Sequence, residues 1–211
     1  MRFLLGIFLL TAGSAFAADQ STLQFLGFSK DGKYAAYEQY GIHDGSGFPF
    51  SEIVVLNVPQ NKAILTVKKS LQEDGAEVKD ARSQALKAAT LNKYGILKTR
   101  LGRSVYANPL GKTSVQFQAK QKAYTMSVQP IPFKVTDCIN PTAKGVSVQL
   151  NKKVIFKDIA LPKDRICPQK YGIHQMRVWD SSKSFVAFIR YEKDGFEGPD
   201  VRYWAVSGIL P

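Results

Sequence analysis

A histidine beside a carboxylate is the first chemistry this chain offers. His43-Asp44 opens the string Asp44-Gly45-Ser46-Gly47-Phe48-Pro49. An imidazole oriented by an acid can act as a general base. A second string, Gly195-Phe196-Glu197-Gly198-Pro199-Asp200, holds the same ingredients: two glycines, an acid, a Phe and a Pro. With Glu197 added, His43 and Asp44 would make the acid–base set of a hydrolase acting on envelope polymers. The catalytic signatures are missing, however. Ser46 in Asp-Gly-Ser-Gly lacks the first glycine of a nucleophile elbow. The chain has neither a phosphate loop nor a zinc helix. A lone histidine at a strand end is more often a satisfied structural residue, and His174, next to Ile173, reads as a sheet-face residue. No catalytic residue, metal site or cofactor is assigned; a calcium loop fails for want of oxygen side chains at the needed spacing.

The same two strings have a second reading. Glycines permit positive φ and bare the backbone, and an acid beside them can orient a ligand or a cation. If the strings lie side by side they form a ligand or partner rim of Asp44, Gly45, Ser46, Gly47, Phe48, Phe196, Glu197, Gly198 and Pro199. The competing reading makes both loops self-capped. Asp44 would then close an Asx-turn near Ser46, and Glu197 would pair with Arg190 or Arg202.

The chain has two cysteines, Cys138 and Cys167. Metal ligation lacks partners, because there are only two histidines and no Cys-x-x-Cys. An even count in an exported chain points to a disulfide. Closing that loop would stabilise the fold by roughly 3–4 kcal/mol in the chain-entropy model. A catalytic thiol would need a positioned histidine.

Export itself is read from the start of the chain. Met1-Arg2, the apolar run from Phe3 to Leu10, and Ala15-Phe16-Ala17 come in the order of a secretory signal peptide cleaved after Ala17. The apolar run is too short to span a bilayer, and no transmembrane segment is found further on. The expected location is secreted or periplasmic. The remaining residues, 18–211, are expected to form a single domain. Losing Arg2 takes the net charge from +12 to +11. Such a balance attracts anionic envelope polymers or lipid head groups, although scattered lysines also guard sheet edges. Nucleic acid is not an expected partner.

The elements that must position the two strings are mostly strands. Runs rich in β-branched and aromatic residues recur at 22–28, 34–40, 53–57, 63–67, 113–118, 123–129, 133–138, 146–150, 154–161, 173–179, 185–191 and 201–206. They predict a mainly β fold of antiparallel sheets, as a sandwich or as propeller-like hairpins. Asn151-Lys152 predicts a tight hairpin between two of them. One stretch is helical: Val78, Ala81, Ala85 and Ala89 recur at helical spacing between possible caps at Ser70 and Asp74 and a stop at Gly95. It predicts a helix over about 73–94 with a structural alanine stripe.

The two ends of the chain repeat each other. Phe28-Ser29-Lys30-Asp31-Gly32-Lys33-Tyr34-Ala35-Ala36-Tyr37 aligns without a gap on Trp179 to Phe188, at a constant offset of 151 (179 − 28). The offset places Gly47 on Gly198 and Val55 on Val206. It predicts a repeated hairpin unit at 22–57 and 173–208.

Taken alone, the Asp-Gly turn and the Ala-aromatic strand resemble the inner hairpin of a TolB-type propeller blade. A wider resemblance covers nearly the whole mature chain. Phe25-Leu26-Gly27-Phe28-Ser29, Glu38-Gln39-Tyr40-Gly41-Ile42-His43-Asp44-Gly45-Ser46-Gly47-Phe48-Pro49 and the alanine-rich helix resemble, in order, a family of predicted secreted bacterial proteins of unknown function. So do Leu161-Pro162-Lys163-Asp164-Arg165-Ile166-Cys167-Pro168, Tyr171-Gly172-Ile173 and the string from Gly195 to Asp200. The resemblance implies export and a shared fold, and no activity. The function expected from the residues is a non-catalytic binding or structural module of the cell envelope, acting on an unknown envelope component.

Overall fold

The structure is a computed structural model, and it describes residues 18–134, 138, 142–161, 165, 167–195 and 198–211. Twelve strands form three four-stranded antiparallel sheets among these residues. The first sheet is the meander β1 (Thr22–Phe28), β2 (Tyr34–Ile42), β3 (Pro49–Asn57) and β4 (Lys62–Ser70). The helix α1 (Val78–Ala89) leads into β5 (Arg103–Lys112), then β6 (Ser114–Ala119), β7 (Lys122–Lys134), β8 (Thr142–Leu150) and β9 (Lys153–Lys157). The chain closes with β10 (Pro168–Trp179), β11 (Ser184–Lys193) and β12 (Asp200–Ile209). The second sheet has the order β12-β11-β10-β5, and the third β6-β7-β8-β9.

Alternation along the strands explains how the layers stack. On β2 and β3, Tyr37, Val54 and Leu56 face the second sheet and meet Val186, Phe188 and Ala205. Ala36, Ile53 and Val55 face the other way, onto Ala85 and Ala89 of the helix. On β11, Phe185, Ala187 and Ile189 face the third sheet, against Met126, Val128, Val146 and Val148. The molecule is therefore helix, sheet, sheet, sheet, with the strands of the middle sheet buried on both faces. That is why β11 reads as an unbroken apolar run rather than an alternating one.

The helix is shorter than the sequence predicts. β4 runs to Ser70, where the first cap was expected, and the capping box is formed by Glu77 with Asp80. Thr90 turns left-handed (φ 47°) and ends the helix, and Leu91–Tyr94 form a separate 3-10 turn. The alanine stripe is as expected: Ala81, Ala85 and Ala89 are buried. Strand β5 was not anticipated. Pro109 and Gly111 break its pattern, but β5 pairs only with β10, so it is an edge strand that tolerates a missing N–H. The expected strand over 133–138 is, in its described part, the end of β7, which runs on through Pro130 and Pro132 beyond its last pair with β6. Asn151 and Lys152 have φ of 49° and 66° and connect β8 to β9 as the expected two-residue turn.

The second hairpins at the two ends of the chain share one register. Tyr34 pairs Asn57, and Phe185 pairs Gly208, each 151 residues on. The first hairpins differ: Phe28 pairs Ala35, whereas Trp179 pairs Ser184 rather than Val186. The turn at Ser29–Lys33 is wider because it houses Asp31, which accepts from the Ser29 hydroxyl at 2.6 Å and the Lys33 amide at 3.0 Å. The two turns pack together, the Trp179 indole and the Ser184 hydroxyl donating to the Lys30 and Gly32 carbonyls at 3.0 and 2.9 Å.

The free edge of β12 is closed by the first sheet. The amides of Val201, Tyr203 and Ser207 donate to the Asp19 carbonyl (2.8 Å), the Gln39 side chain (3.0 Å) and the Asn61 side chain (2.7 Å). An open strand edge of this length would otherwise template pairing with another chain. Cys138 and Cys167 form the expected disulfide, with Cα atoms 5.6 Å apart.

Candidate functional site

Where β2 ends and β3 begins, the chain leaves the first sheet and returns through 43–48. The loop is a tight reversal: the His43 amide donates to the Phe48 carbonyl at 2.8 Å, and the Gly47 amide returns to the His43 carbonyl at 2.9 Å. Gly45 and Gly47 carry φ of 75° and 69°, a region that favours glycine, and nothing lies within 4 Å of where a Cβ would stand. Gly45, Ser46 and Gly47 are exposed, and Asp44 and Phe48 are half-buried.

Asp19 holds this loop in place. Its carboxylate accepts from the Asp44 amide at 3.1 Å and meets the His43 Nδ1 at 3.3 Å. The same carboxylate binds the Arg202 guanidinium, whose other nitrogen donates to the Ser21 hydroxyl at 2.9 Å. The Asp19 amide donates to the Asp200 carboxylate at 3.0 Å. Burial alone would raise the Asp19 pKa. The Arg202 charge and hydrogen bond, with those from His43 and the Asp44 amide, outweigh it and hold the carboxyl below its ordinary 3.8. One buried acid thus ties the 43–48 loop to the start of β12.

Behind the loop lies a cavity of about 450 Å³ between the ends of the first and second sheets. Phe50 forms an apolar wall, with the His43 ring stacked on it at 4.5 Å and the Arg202 guanidinium 4.8 Å from its centre. Gln39 donates to Glu52 at 3.1 Å, and Lys68 lies 3.5 Å from the same carboxylate. Lys193 adds a second ammonium, 3.1 Å from Asp200. Lys69 borders the cavity too, although its strand register puts its side chain on the face of Leu65 and Val67, toward the helix. A second recess of about 330 Å³ shares Gln39, Glu52, Lys68 and Tyr191, and extends the hollow toward Trp204. This size suits a sugar- or headgroup-sized ligand.

The sequence-derived site residues fare unequally. Asp44, Gly45, Ser46, Gly47 and Phe48 do not line the cavity; of the 43–48 loop only His43 does. Gly198 and Pro199 come near the same place through the chain start: Pro199 accepts from the Gln20 side chain at 3.4 Å, and a Cβ on Gly198 would stand 3.6 Å from that of Ala18. Phe196 and Glu197 lie outside the described residues. The expected Asx-turn at Asp44 is replaced by a bond from the Phe48 amide to the Ser46 hydroxyl, at 3.4 Å. His43 is oriented by Asp19, not Asp44, which takes part through its backbone. Arg190 is held by Glu192 at 2.5 Å and Arg202 by Asp19. Sequence reasoning missed Asp19, Phe50, Lys193 and Arg202 as site residues. The signal that was available is the offset itself, which places Arg202 and Lys193 at the same loop ends as Ser51 and Ile42.

With this geometry in view, the comparison with protein families is informative. The family model described as "Predicted secreted protein (DUF2259)" matches residues 36–208. The chain belongs to that family. No curated protein and no solved structure matches it, and the TolB-type resemblance finds no support in these comparisons. Within this DUF2259 chain, every residue lining the cavity falls inside the matched stretch, whereas Asp19 precedes it. Arg165 of the proline–cysteine motif is buried and donates to Asp158 at 2.6 Å, and its guanidinium lies 4.3 Å from the Trp204 ring. That motif residue serves the packing between sheets. No helix among the described residues is long and apolar enough to cross a membrane.

Proposed function

We propose that the protein is exported, cleaved after Ala17, and acts in the periplasm or outside the cell as a non-catalytic binding module of the envelope. Its ligand face is the cavity between the first two sheets together with the 44–48 rim. The observation that carries this reading is the cavity itself. It is concave, walled by Phe50 and His43, studded with Lys68, Lys193 and Arg202, and held rigid from behind by Asp19. A cleft with an apolar wall and a few convergent polar groups is the usual form of a ligand site. The loop beside it has the exposed glycines and the half-buried Phe48 of a contact surface. A binding role rather than turnover is the reading we favour, since Ser51 spends its hydroxyl on buried Glu38, at 2.9 Å, and so is no nucleophile for the His43 ring.

The test uses the mature protein immobilised and exposed to fractionated envelope extract. Phe48→Ala and Lys68→Glu, both at sites with solvent access, should each reduce capture at least severalfold with the melting temperature unchanged. Unchanged capture by both variants contradicts the assignment of the face. Turnover of an envelope polymer that disappears in His43→Ala contradicts the non-catalytic reading.

A further inference from the structure

The cavity's chemistry narrows what it takes. Resting on the binding reading above, we propose that its ligand carries a phosphate group, held between Lys68 and Lys193, with the body of the ligand against Phe50 and His43. Three observations lead there. First, the lining is cationic: Lys68, Lys193 and Arg202 face a single lining carboxylate, Glu52. Second, the one guanidinium of the lining is already engaged. Arg202 binds the Asp19 carboxylate, the Ser21 hydroxyl at 2.9 Å and the Asp19 and Val201 carbonyls at 3.2 and 3.1 Å. The edge formed by its two terminal nitrogens, a planar fork that suits a carboxylate ligand, is therefore taken. Third, the cations that remain are ammonium groups with donors to spare. Lys193 gives one of its three N–H donors to Asp200. Lys68 is 70% exposed at its side chain and only 3.5 Å from Glu52, which Gln39 also holds. Separated point charges suit an anion whose several oxygens point in different directions, and a phosphate is such a group. The acids behind the site, Asp19 and Asp200, fix the cations without entering the cavity lining. The phosphate's source is a soluble or polymer-borne ester, or a lipid headgroup, and the same chemistry serves all of these.

The mature protein is titrated by calorimetry, at low salt, with inorganic phosphate, glycerol 1-phosphate and malonate. Sedimentation is run with phosphatidylcholine vesicles containing or lacking phosphatidylglycerol. The proposal expects the two soluble phosphates to bind more tightly than malonate. Lys68→Gln and Lys193→Gln should each weaken that binding about tenfold, the size of one charge-assisted hydrogen bond. Lys98→Gln, an exposed lysine away from the cavity, should leave it unchanged. Phosphatidylglycerol-dependent sedimentation that Lys68→Gln abolishes assigns the phosphate to a lipid; soluble esters bound without it assign the phosphate to a small molecule or polymer. Equal binding of malonate, or an equal loss in Lys98→Gln, overturns the proposal. If no phosphate probe binds and Lys68→Gln still lowers capture from envelope extract, the phosphate assignment falls while the binding cavity stands.

Discussion

Asp19 shows how much one residue can organise. It is nearly buried, and its backbone and carboxylate together reach Asp44, His43, Asp200, Val201 and Arg202. Its pKa is depressed in the folded protein, so its contribution to stability is complete above the ordinary value of 3.8 and is lost as pH falls through the lower folded value. Asp19→Asn should therefore be less stable than the parent at neutral pH by about 1.5–3 kcal/mol, the worth of a hydrogen bond to a charged group. The gap should close as the pH drops below about 3.8. Thermal melts of both proteins from pH 7 to pH 3 check this; a gap that is independent of pH would remove the carboxylate from the account. Nothing in the sequence marked Asp19, since a residue just after the expected cleavage site reads as a loose end. Its partners are more than 20 positions away, and such pairings are not written in local pattern.

At the scale of elements, the sequence was most legible where the local pattern decides the outcome. The alanine stripe, the Asn151-Lys152 turn and the apolar run of β11 all follow from side-chain period and turn chemistry. β5 was hidden because Pro109 and Gly111 signal a break, and only its position at a sheet edge makes them tolerable. The helix ended early because Thr90 takes a left-handed conformation that the composition of 73–94 does not announce. The helix is also pinned to the first sheet by a contact no periodicity reveals. Glu38 is fully buried on the helix side of β2, and Arg82 reaches it with two bonds of 3.0 and 2.9 Å. The guanidinium also lies 3.7 Å from the Tyr40 ring. Removing one partner of a buried pair leaves an uncompensated charge, so Arg82→Ala should cost about 3–5 kcal/mol. Urea unfolding measures it, and a loss below 1 kcal/mol would mean that water replaces Arg82 without penalty.

For the whole molecule, three sheets and a helix stacked face to face leave the ends of the sheets as the places where loops meet. We propose that 22–57 and 173–208 are two copies of one unit. The shared register of their second hairpins supports this, and the wider turn at Asp31 accounts for the shifted first hairpins. The single disulfide joins the chain after β7 to the start of β10 and so ties the third sheet to the second. Replacing Cys138 and Cys167 by Ser should cost about 2–5 kcal/mol, seen as a lower urea midpoint that matches the parent treated with reductant. A midpoint unchanged by both treatments would show that sheet packing alone sets the stability. Of the cavity lining, sequence reasoning had singled out only His43 as a site candidate, because the walls come from β2, β3, β4, β11 and β12, and their meeting is a product of layer packing.

The central claim is that ligand enters this cavity. Amide chemical-shift mapping of the isotopically labelled mature protein, titrated with glycerol 1-phosphate and with the envelope fraction it captures, tests it directly. The account predicts that the shifts cluster at Gln39, His43, Phe50, Glu52, Lys68, Lys193 and Arg202. Shifts confined to a surface remote from both of the first two sheets, such as Gln116, Gln118 and Thr125 on the outer face of the third, would contradict it.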